Sequence, residues 1–166
     1  MIALRLPSKS FSEFIGRTNL GARVEKMHEY REFLNRTWLF GGSISPAVQN
    51  RVADQMIRHS YEGENERIKA GKARSIFIVA SGTCQRLVNG AVVQPLITGD
   101  FFGEETILFD KNLTDEYRLV EGAKLFEVPA EAISNIPAVM WKLLERHEKK
   151  TNVIAAEAPA ELALVV

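Results

Sequence analysis

The sequence is poor in the residue types that build disulfides and clustered metal centres. Among its 166 residues there is one cysteine, Cys84, and the three histidines stand singly along the chain. One thiol cannot form an internal disulfide, a zinc finger or a cysteine-ligated iron–sulfur cluster. No Ser/His/Asp or Cys/His set stands out either. We therefore expect neither a resident metal ion nor an enzymatic activity.

The chain also lacks an excess of either charge and a long apolar run. Lys plus Arg and Asp plus Glu each number 21, so the formal charge is zero. A surface built for nucleic acid needs a local cationic excess, and we expect no such partner. No segment approaches the roughly 18 apolar residues of a membrane span. Charges and a proline interrupt the opening MIALRLPSKSF, unlike a signal peptide. These features predict a cytoplasmic protein without a membrane span.

The composition that remains is typical of one globular domain, with 46 % hydrophobic and 25 % charged residues. Residues 1–17 carry mixed signals and are interpreted as an arm. From Asn19 onward, apolar residues recur at steps of three and four, which predicts a helix. Ser45 and Pro46 are typical of a second helix start. The helical segment 18–57 is longer than a small β-domain needs and could dock a partner.

Short strand-like runs follow the helices. An Asn-Gly pair at 89–90 separates two of them and predicts a tight hairpin, since both residues tolerate positive φ. Pro137 begins a final helical pattern. The order of helices, strands and helices predicts an α+β fold, an antiparallel β jelly-roll barrel flanked by N-terminal and C-terminal helices. We divide the chain into an arm and helix (1–37), a main domain (38–157) and a tail (158–166).

Two segments of the strand region match a known pattern. A strand-like run ends in Ser-Gly at 81–82, the Asn-Gly hairpin follows, and the segment GDFFGEETILF begins at Gly99. Together they resemble the cyclic nucleotide-binding domain of catabolite-activator-type regulators, kinase regulatory subunits and gated channels. The resemblance covers about residues 38–155, and it implies the same jelly roll. The family's transcription factors carry a DNA-reading helix-turn-helix after the last helix, for which a chain ending at Val166 leaves no room.

The resemblance also implies which residues would form the ligand pocket. Gly103 and Glu104 match the start of a short helix whose amides face the cyclic phosphate, and the glutamate accepts a hydrogen bond from the ribose. An ungapped alignment places Leu113 where the family has its phosphate-binding arginine, and Thr114 where it has a small residue. Losing that charge-assisted hydrogen bond costs about 1.5–3 kcal/mol, or one to two decades of affinity. We therefore expect an impaired nucleotide pocket.

Arg86 could supply a different cation. Counting alternate residues after the Ser-Gly pair places Cys84 and Arg86 on the inward face of the next strand. A buried arginine needs a partner. Arg86 would therefore either bind an anion or pair with Glu104 and close the pocket. Glu105, the next residue, is interpreted as solvated.

Two functions remain open from the sequence. The first is a non-catalytic regulatory or interaction module that binds a protein partner and requires no cofactor. The alternative is a sensor that binds a cyclic nucleotide, cAMP or cGMP, or another anion in an altered mode. A heptad-like seam on the last helix, in which His147 and Thr151 interrupt the apolar residues, is compatible with a homodimer; it consists of Met140, Leu144, His147, Thr151 and Ile154. A cupin-type metal enzyme on a similar jelly roll is disfavoured, since the His/Glu cluster it needs is not apparent.

Overall fold

A computed structural model describes residues 7–42, 44–61, 63, 66–68, 74–113, 115–120 and 122–157, with side chains as far as residue 151. Six helices are assigned, namely α1 (Ser8–Thr18), α2 (Leu20–Arg36), α3 (Pro46–Gln55), α4 (Glu104–Leu108), α5 (Ala130–Ile133) and α6 (Pro137–Glu157). Eight strands are assigned, namely β1 (Ile57–Ser60), β2 (Arg67–Ile68), β3 (Ser75–Ser81), β4 (Cys84–Val88), β5 (Ala91–Leu96), β6 (Phe101–Phe102), β7 (Glu116–Leu119) and β8 (Lys124–Pro129). The predicted tail, 158–166, lies outside the described residues.

The strands form two four-stranded antiparallel sheets. The first has the order β1-β8-β3-β6 and the second the order β2-β7-β4-β5. The predicted α+β jelly roll with helices at both ends is confirmed, although its strands form a sandwich of two sheets rather than a closed barrel. The sandwich leaves an interior between the sheets, and the candidate site lies at one end of it.

Strand β3 of the first sheet packs against other residues on both of its faces, which explains its nearly continuous apolar sequence. Ile76 and Ile78 point to one side, where they join an apolar core with α2, α3, α5 and α6. Phe77 and Val79 alternate with them and point into the sandwich, where they meet residues of the second sheet. We call these the helix-side core and the sandwich interior. The period-2 alternation of a strand thus divides one sequence between two cores.

The three helices predicted from the sequence begin close to the expected positions, at Leu20, Pro46 and Pro137. The segment expected to be an arm is helical from Ser8, and none of the residues of α1 is buried. Ser45 precedes α3, and Pro46 is its first residue. The Asn-Gly hairpin is confirmed, since β4 pairs with β5 and Asn89 and Gly90 both have positive φ, at 52° and 82°. Of the described helices, none is long and apolar enough to cross a membrane.

Helix α6 determines how the site is covered. Val139 and Leu143 on its first half are fully buried in the helix-side core. Steps of four and three from Leu143 lead to His147 and Lys150 on the same stripe of the helix. Both of these side chains reach residues of α4. One amphipathic face of α6 therefore spans the core and the open end of the sandwich.

Candidate functional site

A sharp backbone turn at Gly103 sets the geometry of the site. Gly103 has φ +93°, and a Cβ atom placed on it would lie 2.8 Å from the carbonyl oxygen of Ser75. Glycine is required here both for the positive φ and for the close approach to β3. The Oγ1 of Thr106 donates a hydrogen bond to the same Ser75 oxygen at 3.1 Å. These contacts hold α4, a helix of five residues, against β3.

Helix α4 carries two buried carboxylates, Glu104 and Glu105, whereas the sequence analysis expected only Glu104 to face inward. Glu104 is 1 % exposed, in keeping with its predicted inward position, and Glu105 is 4 % exposed. The interpretation of Glu105 as a solvated residue was wrong. It fails because α6 packs over α4 and covers the face that a lone helix would expose to water.

The basic side chains that meet these carboxylates come from α6. The Nζ of Lys150 lies 3.4 Å from Glu104 Oε1, 3.7 Å from Glu105 Oε1 and 3.3 Å from Asp115 Oδ2. The Nδ1 of His147 lies 3.6 Å from Glu104 Oε1. One lysine thus bridges three carboxylates at the end of the sandwich. We call Glu104, Glu105, Asp115, Arg86, His147 and Lys150 the ionic cluster.

Arg86 points inward as predicted but has a different partner. It is 6 % exposed, and the neighbouring inward residue Cys84 is fully buried. The predicted pairing with Glu104 was wrong, because Arg86 Nε donates to Asp115 Oδ2 at 2.6 Å. Asp115 immediately precedes β7, which pairs with β4, and it lies two residues before Tyr117, the cross-strand neighbour of Arg86. Since Asp115 occupies its Nε–H, an incoming anion would have to compete for this arginine.

The position aligned with the family's arginine holds a side chain of the core. Leu113 is 4 % exposed and belongs to the apolar cluster of the sandwich interior. Its Cδ1 would lie 3.8 Å from a Cβ at Gly103, so it does face the turn where a phosphate would be expected. Thr114 lies outside the described residues. The turn and its glutamate are thus present, with an apolar side chain beside them.

The ionic cluster is acidic on balance. Three carboxylates stand against Arg86 and Lys150, which leaves one negative charge while His147 is neutral. Burial, and then the adjacent charge of Glu104, raises the pKa of Glu105 above its usual value, although Lys150 opposes the shift. Burial and the nearby carboxylates likewise raise the pKa of Tyr117, whose hydroxyl lies 3.3 Å from Lys150 Nζ. Such a site favours positive charge over an incoming phosphate.

Little space remains inside the site. The cavity lined by Arg86, Phe102, Glu104, Tyr117 and Lys150 measures about 10 Å³, which is room for about one water molecule. Tyr117 and Phe102, which both line this cavity, stack with their ring centroids 3.8 Å apart. A second cavity of about 180 Å³ opens on the outer side of the cluster, between α4 and α6. Glu105, Phe109, His147 and Thr151 are among its lining residues.

Sequence reasoning missed Lys150 and Asp115, and it placed His147 in a dimer seam rather than in the site. The seam predicted through Met140 and Leu144 lies to one side of the stripe that is actually buried, which includes Val139 and Leu143. Continuing that stripe by helical steps would have indicated His147 and Lys150. Nothing local could have indicated Asp115, because its role depends on the pairing of β7 with β4.

No model of a known protein family and no curated protein matches the sequence. Solved structures do match. The cAMP-bound PfPKA-R has a TM-score of 0.71 and 20 % identity, covering 82 % of this chain and 48 % of that chain. The regulatory subunit of a cAMP-independent protein kinase A from Trypanosoma cruzi, bound to guanosine, has a TM-score of 0.61 and 18 % identity over 75 % of this chain and 45 % of that chain.

A bacterial structure matches as well. The sensor domain of the transcriptional regulator DNR from Pseudomonas aeruginosa has a TM-score of 0.62 and 15 % identity, covering 83 % of this chain and 98 % of that chain. The chain thus spans about half the length of the two kinase subunits and nearly all of the sensor domain. The predicted resemblance is confirmed at the level of the fold, and the chain has the fold of a cyclic nucleotide-binding domain.

Proposed function

We propose that this chain is a non-catalytic regulatory module whose nucleotide pocket is occupied by its own helix α6, and that it acts by binding a protein partner. The observation that carries the proposal is the position of Lys150, which meets Glu104, Glu105 and Asp115 within 3.7 Å. These contacts lie beside Gly103, where the family binds its ligand. A side chain of α6 therefore takes the space that a ligand would need.

The size and charge of the site support the same proposal. Small-ligand pockets measure about 300–1,000 Å³, whereas the cavity beside Glu104 measures about 10 Å³. Opening it would separate Lys150 from its carboxylates. A cyclic phosphate would then face three carboxylates, with Leu113 at the position of the family's cation. Each of these features opposes the binding of cAMP or cGMP.

The test is thermal unfolding with millimolar cAMP or cGMP. We expect no change in Tm, whereas a ligand present at 100 times its Kd would add about 2.7 kcal/mol of stability. A matched pair of variants sharpens the result. Lys150→Ala opens the site, and Leu113→Arg in the same background restores the cation. We expect cAMP to raise the Tm of the double variant alone, and a cAMP-dependent rise in the unmodified chain would overturn the proposal.

A second candidate is a sensor for a neutral nucleoside. It is favoured by the guanosine-bound, cAMP-independent subunit from Trypanosoma cruzi and by carboxylates that suit the hydroxyl groups of a ribose better than a phosphate. Guanosine therefore belongs in the same thermal series. A rise in Tm with guanosine but not with cAMP would favour this candidate over a module without a ligand.

Exposed apolar residues on two helices support a protein partner. On α1, Phe11 and Phe14 are each 50 % exposed, and on α6 Trp141 is 70 % exposed. The predicted homodimer through the last helix can be tested by light scattering after size exclusion. A dimer that becomes a monomer on Trp141→Ala would establish self-association, and a monomer would direct the search to another protein at α1. We retain the cytoplasm as the proposed location and propose no nucleic-acid partner.

A further inference from the structure

The carboxylates of the ionic cluster are not fully neutralised by the side chains around them. Neither carboxylate oxygen of Glu105 has a hydrogen-bond partner among the described residues, and Glu104 Oε1 and His147 Nδ1 also lack one. All four atoms are shielded from solvent. Lys150 approaches both glutamates at 3.4 and 3.7 Å, as an ion pair rather than in hydrogen-bond geometry. Buried polar atoms in this state require an explanation, and a bound ion is one that would satisfy all four.

The geometry points to a binding site for one divalent transition-metal ion, held by Glu104, Glu105 and His147. One ligand atom from each of the three residues lies within 4.8 Å of the other two. Glu104 Oε1 and His147 Nδ1 are 3.6 Å apart. Two ligands each about 2.0–2.1 Å from a tetrahedral Zn²⁺ are about 3.3 Å apart, so the Glu104–His147 pair needs a small contraction, and the Glu105 oxygen must approach by up to about 1.5 Å. The inference rests on the proposed closure by α6, which supplies His147.

The ligand set decides the class of metal. Two carboxylates and one imidazole suit Zn²⁺ or Mn²⁺, whereas Mg²⁺ and Ca²⁺ prefer oxygen ligands alone. Three protein ligands leave a fourth position for water or another small ligand. Zn²⁺ fits best, because it accepts both ligand types at nearly equal distances in a tetrahedral arrangement.

Lys150 must give up its contacts with the two glutamates to admit a metal ion. Besides the two glutamates, its Nζ lies 3.3 Å from Asp115 Oδ2 and 3.3 Å from the hydroxyl oxygen of Tyr117. It keeps these two partners when a metal ion takes the glutamate oxygens. The charge also favours binding, since three carboxylates against two fixed cations leave the cluster negative. A divalent ion would offset that charge beside the glutamate oxygens that lack a hydrogen-bond partner.

The experiment is a calorimetric titration of the EDTA-treated, dialysed chain with ZnCl₂, and in separate arms with MnCl₂ and MgCl₂. We expect one Zn²⁺ per chain, a rise in Tm, and no measurable Mg²⁺ binding. The near-isosteric Glu105→Gln and the variant His147→Gln should each weaken Zn²⁺ binding by at least about 100-fold, more than the loss of an outer-shell contact. Circular dichroism checks that both variants are folded.

Two exposed residues provide matched controls. His28 lies on α2 and Glu148 follows His147 on α6, and both are exposed. His28→Gln and Glu148→Gln should bind Zn²⁺ as the unmodified chain does. X-ray absorption at the zinc edge should show nitrogen and oxygen neighbours near 2.0 Å and none of the sulfur at about 2.3 Å that binding to Cys84 would produce.

The outcomes separate this inference from the proposed function. No Zn²⁺ binding, equal binding by Glu105→Gln, or binding lost in His28→Gln would each overturn the metal site. If Glu105 is simply protonated, the chain binds no Zn²⁺ and Glu105→Gln leaves its Tm unchanged. The cAMP and cGMP series reports on closure by α6 independently, so a failed zinc titration with no cyclic-nucleotide response overturns the metal site and leaves the closed pocket standing.

Discussion

The two halves of α6 dock in different ways. The first half places Val139 and Leu143, both fully buried, among apolar side chains of the helix-side core. The second half places His147 and Lys150 among the carboxylates of the ionic cluster. One helix thus makes an apolar contact at one end and a charged contact at the other.

The difference between the two halves indicates which contact depends on the presence of other charged groups. Apolar burial is non-directional and favourable whatever the exact apolar partner, and it requires no bound ion or paired charge. Buried ion pairs gain stability only while every member is present, and replacing them by apolar groups is often neutral. The first half of α6 therefore fixes the helix to the domain. The second half is the part whose position a bound ion, a ligand or a partner can change.

The largest expected effect tests the apolar half. Leu143→Ala removes a fully buried side chain from the helix-side core. We expect it to lower the free energy of unfolding by about 3 kcal/mol, from lost burial and the cavity that remains. Urea denaturation measures the change. Trp141→Ala, at a position 70 % exposed, should stay within about 0.5 kcal/mol, and equal losses in the two variants would refute the assignment of Leu143 as the anchor.

The next effect tests the charged half. Lys150→Met removes the cation shared by three carboxylates and keeps most of the apolar stem. We expect a loss of about 2–3 kcal/mol in EDTA-treated protein, because the remaining carboxylates stay buried without it. Lys149→Met is the control, since Lys149 is exposed and pairs only with Glu145 among the described residues. Were Lys150→Met as stable as the control, the ionic cluster would contribute nothing to docking α6.

The same comparison explains which features of the fold and the site could be predicted from the sequence. The hairpin at Asn89-Gly90 and the inward direction of Arg86 follow from local patterns of two or three residues, and both are confirmed. The jelly roll follows from the order of helices and strands and from the family resemblance, and it is confirmed as well. The partner of Arg86 could not be predicted in this way. It depends on which strand lies beside β4, and β7 is distant from β4 in the sequence.

The misjudged Glu105 has a similar cause. A glutamate in the first turn of a short helix reads as a favourable surface charge, and only the packing of α6 over α4 makes it buried. The spacing of His147 and Lys150 was readable as a continuation of the Val139–Leu143 stripe. The carboxylates that these two residues contact could not be predicted, because a periodicity indicates which residues share a helix face but not what that face packs against.

A smaller effect tests the turn that holds the ionic cluster in place. Gly103 and Gly99 have nearly equal φ, +93° and +92°, but only a Cβ at Gly103 would meet another atom within 4 Å. Both alanine variants share the cost of a positive φ, about 1 kcal/mol. Gly103→Ala must also relieve the 2.8 Å contact with Ser75 O, so we expect it to cost at least about 1 kcal/mol more than Gly99→Ala in urea denaturation. Equal losses would show that α4 can shift away from β3.

The smallest effect concerns Cys84, whose side chain lies in the sandwich interior. Burial raises its pKa to about 12 from a usual 9.0, so the folded thiol stays protonated where an unfolded one ionises. Its contribution to stability is thus complete below pH 9 and is lost as the pH rises toward 12. Because the thiolate is the reactive form, and a raised pKa leaves a smaller thiolate fraction at every pH below it, iodoacetamide should label the folded chain far more slowly than the urea-unfolded chain at both pH 7 and pH 9. Rapid labelling of the folded chain at pH 9 would mean that the sandwich opens and exposes Cys84. The same assay on Lys150→Met tests whether the charged half of α6 limits this opening.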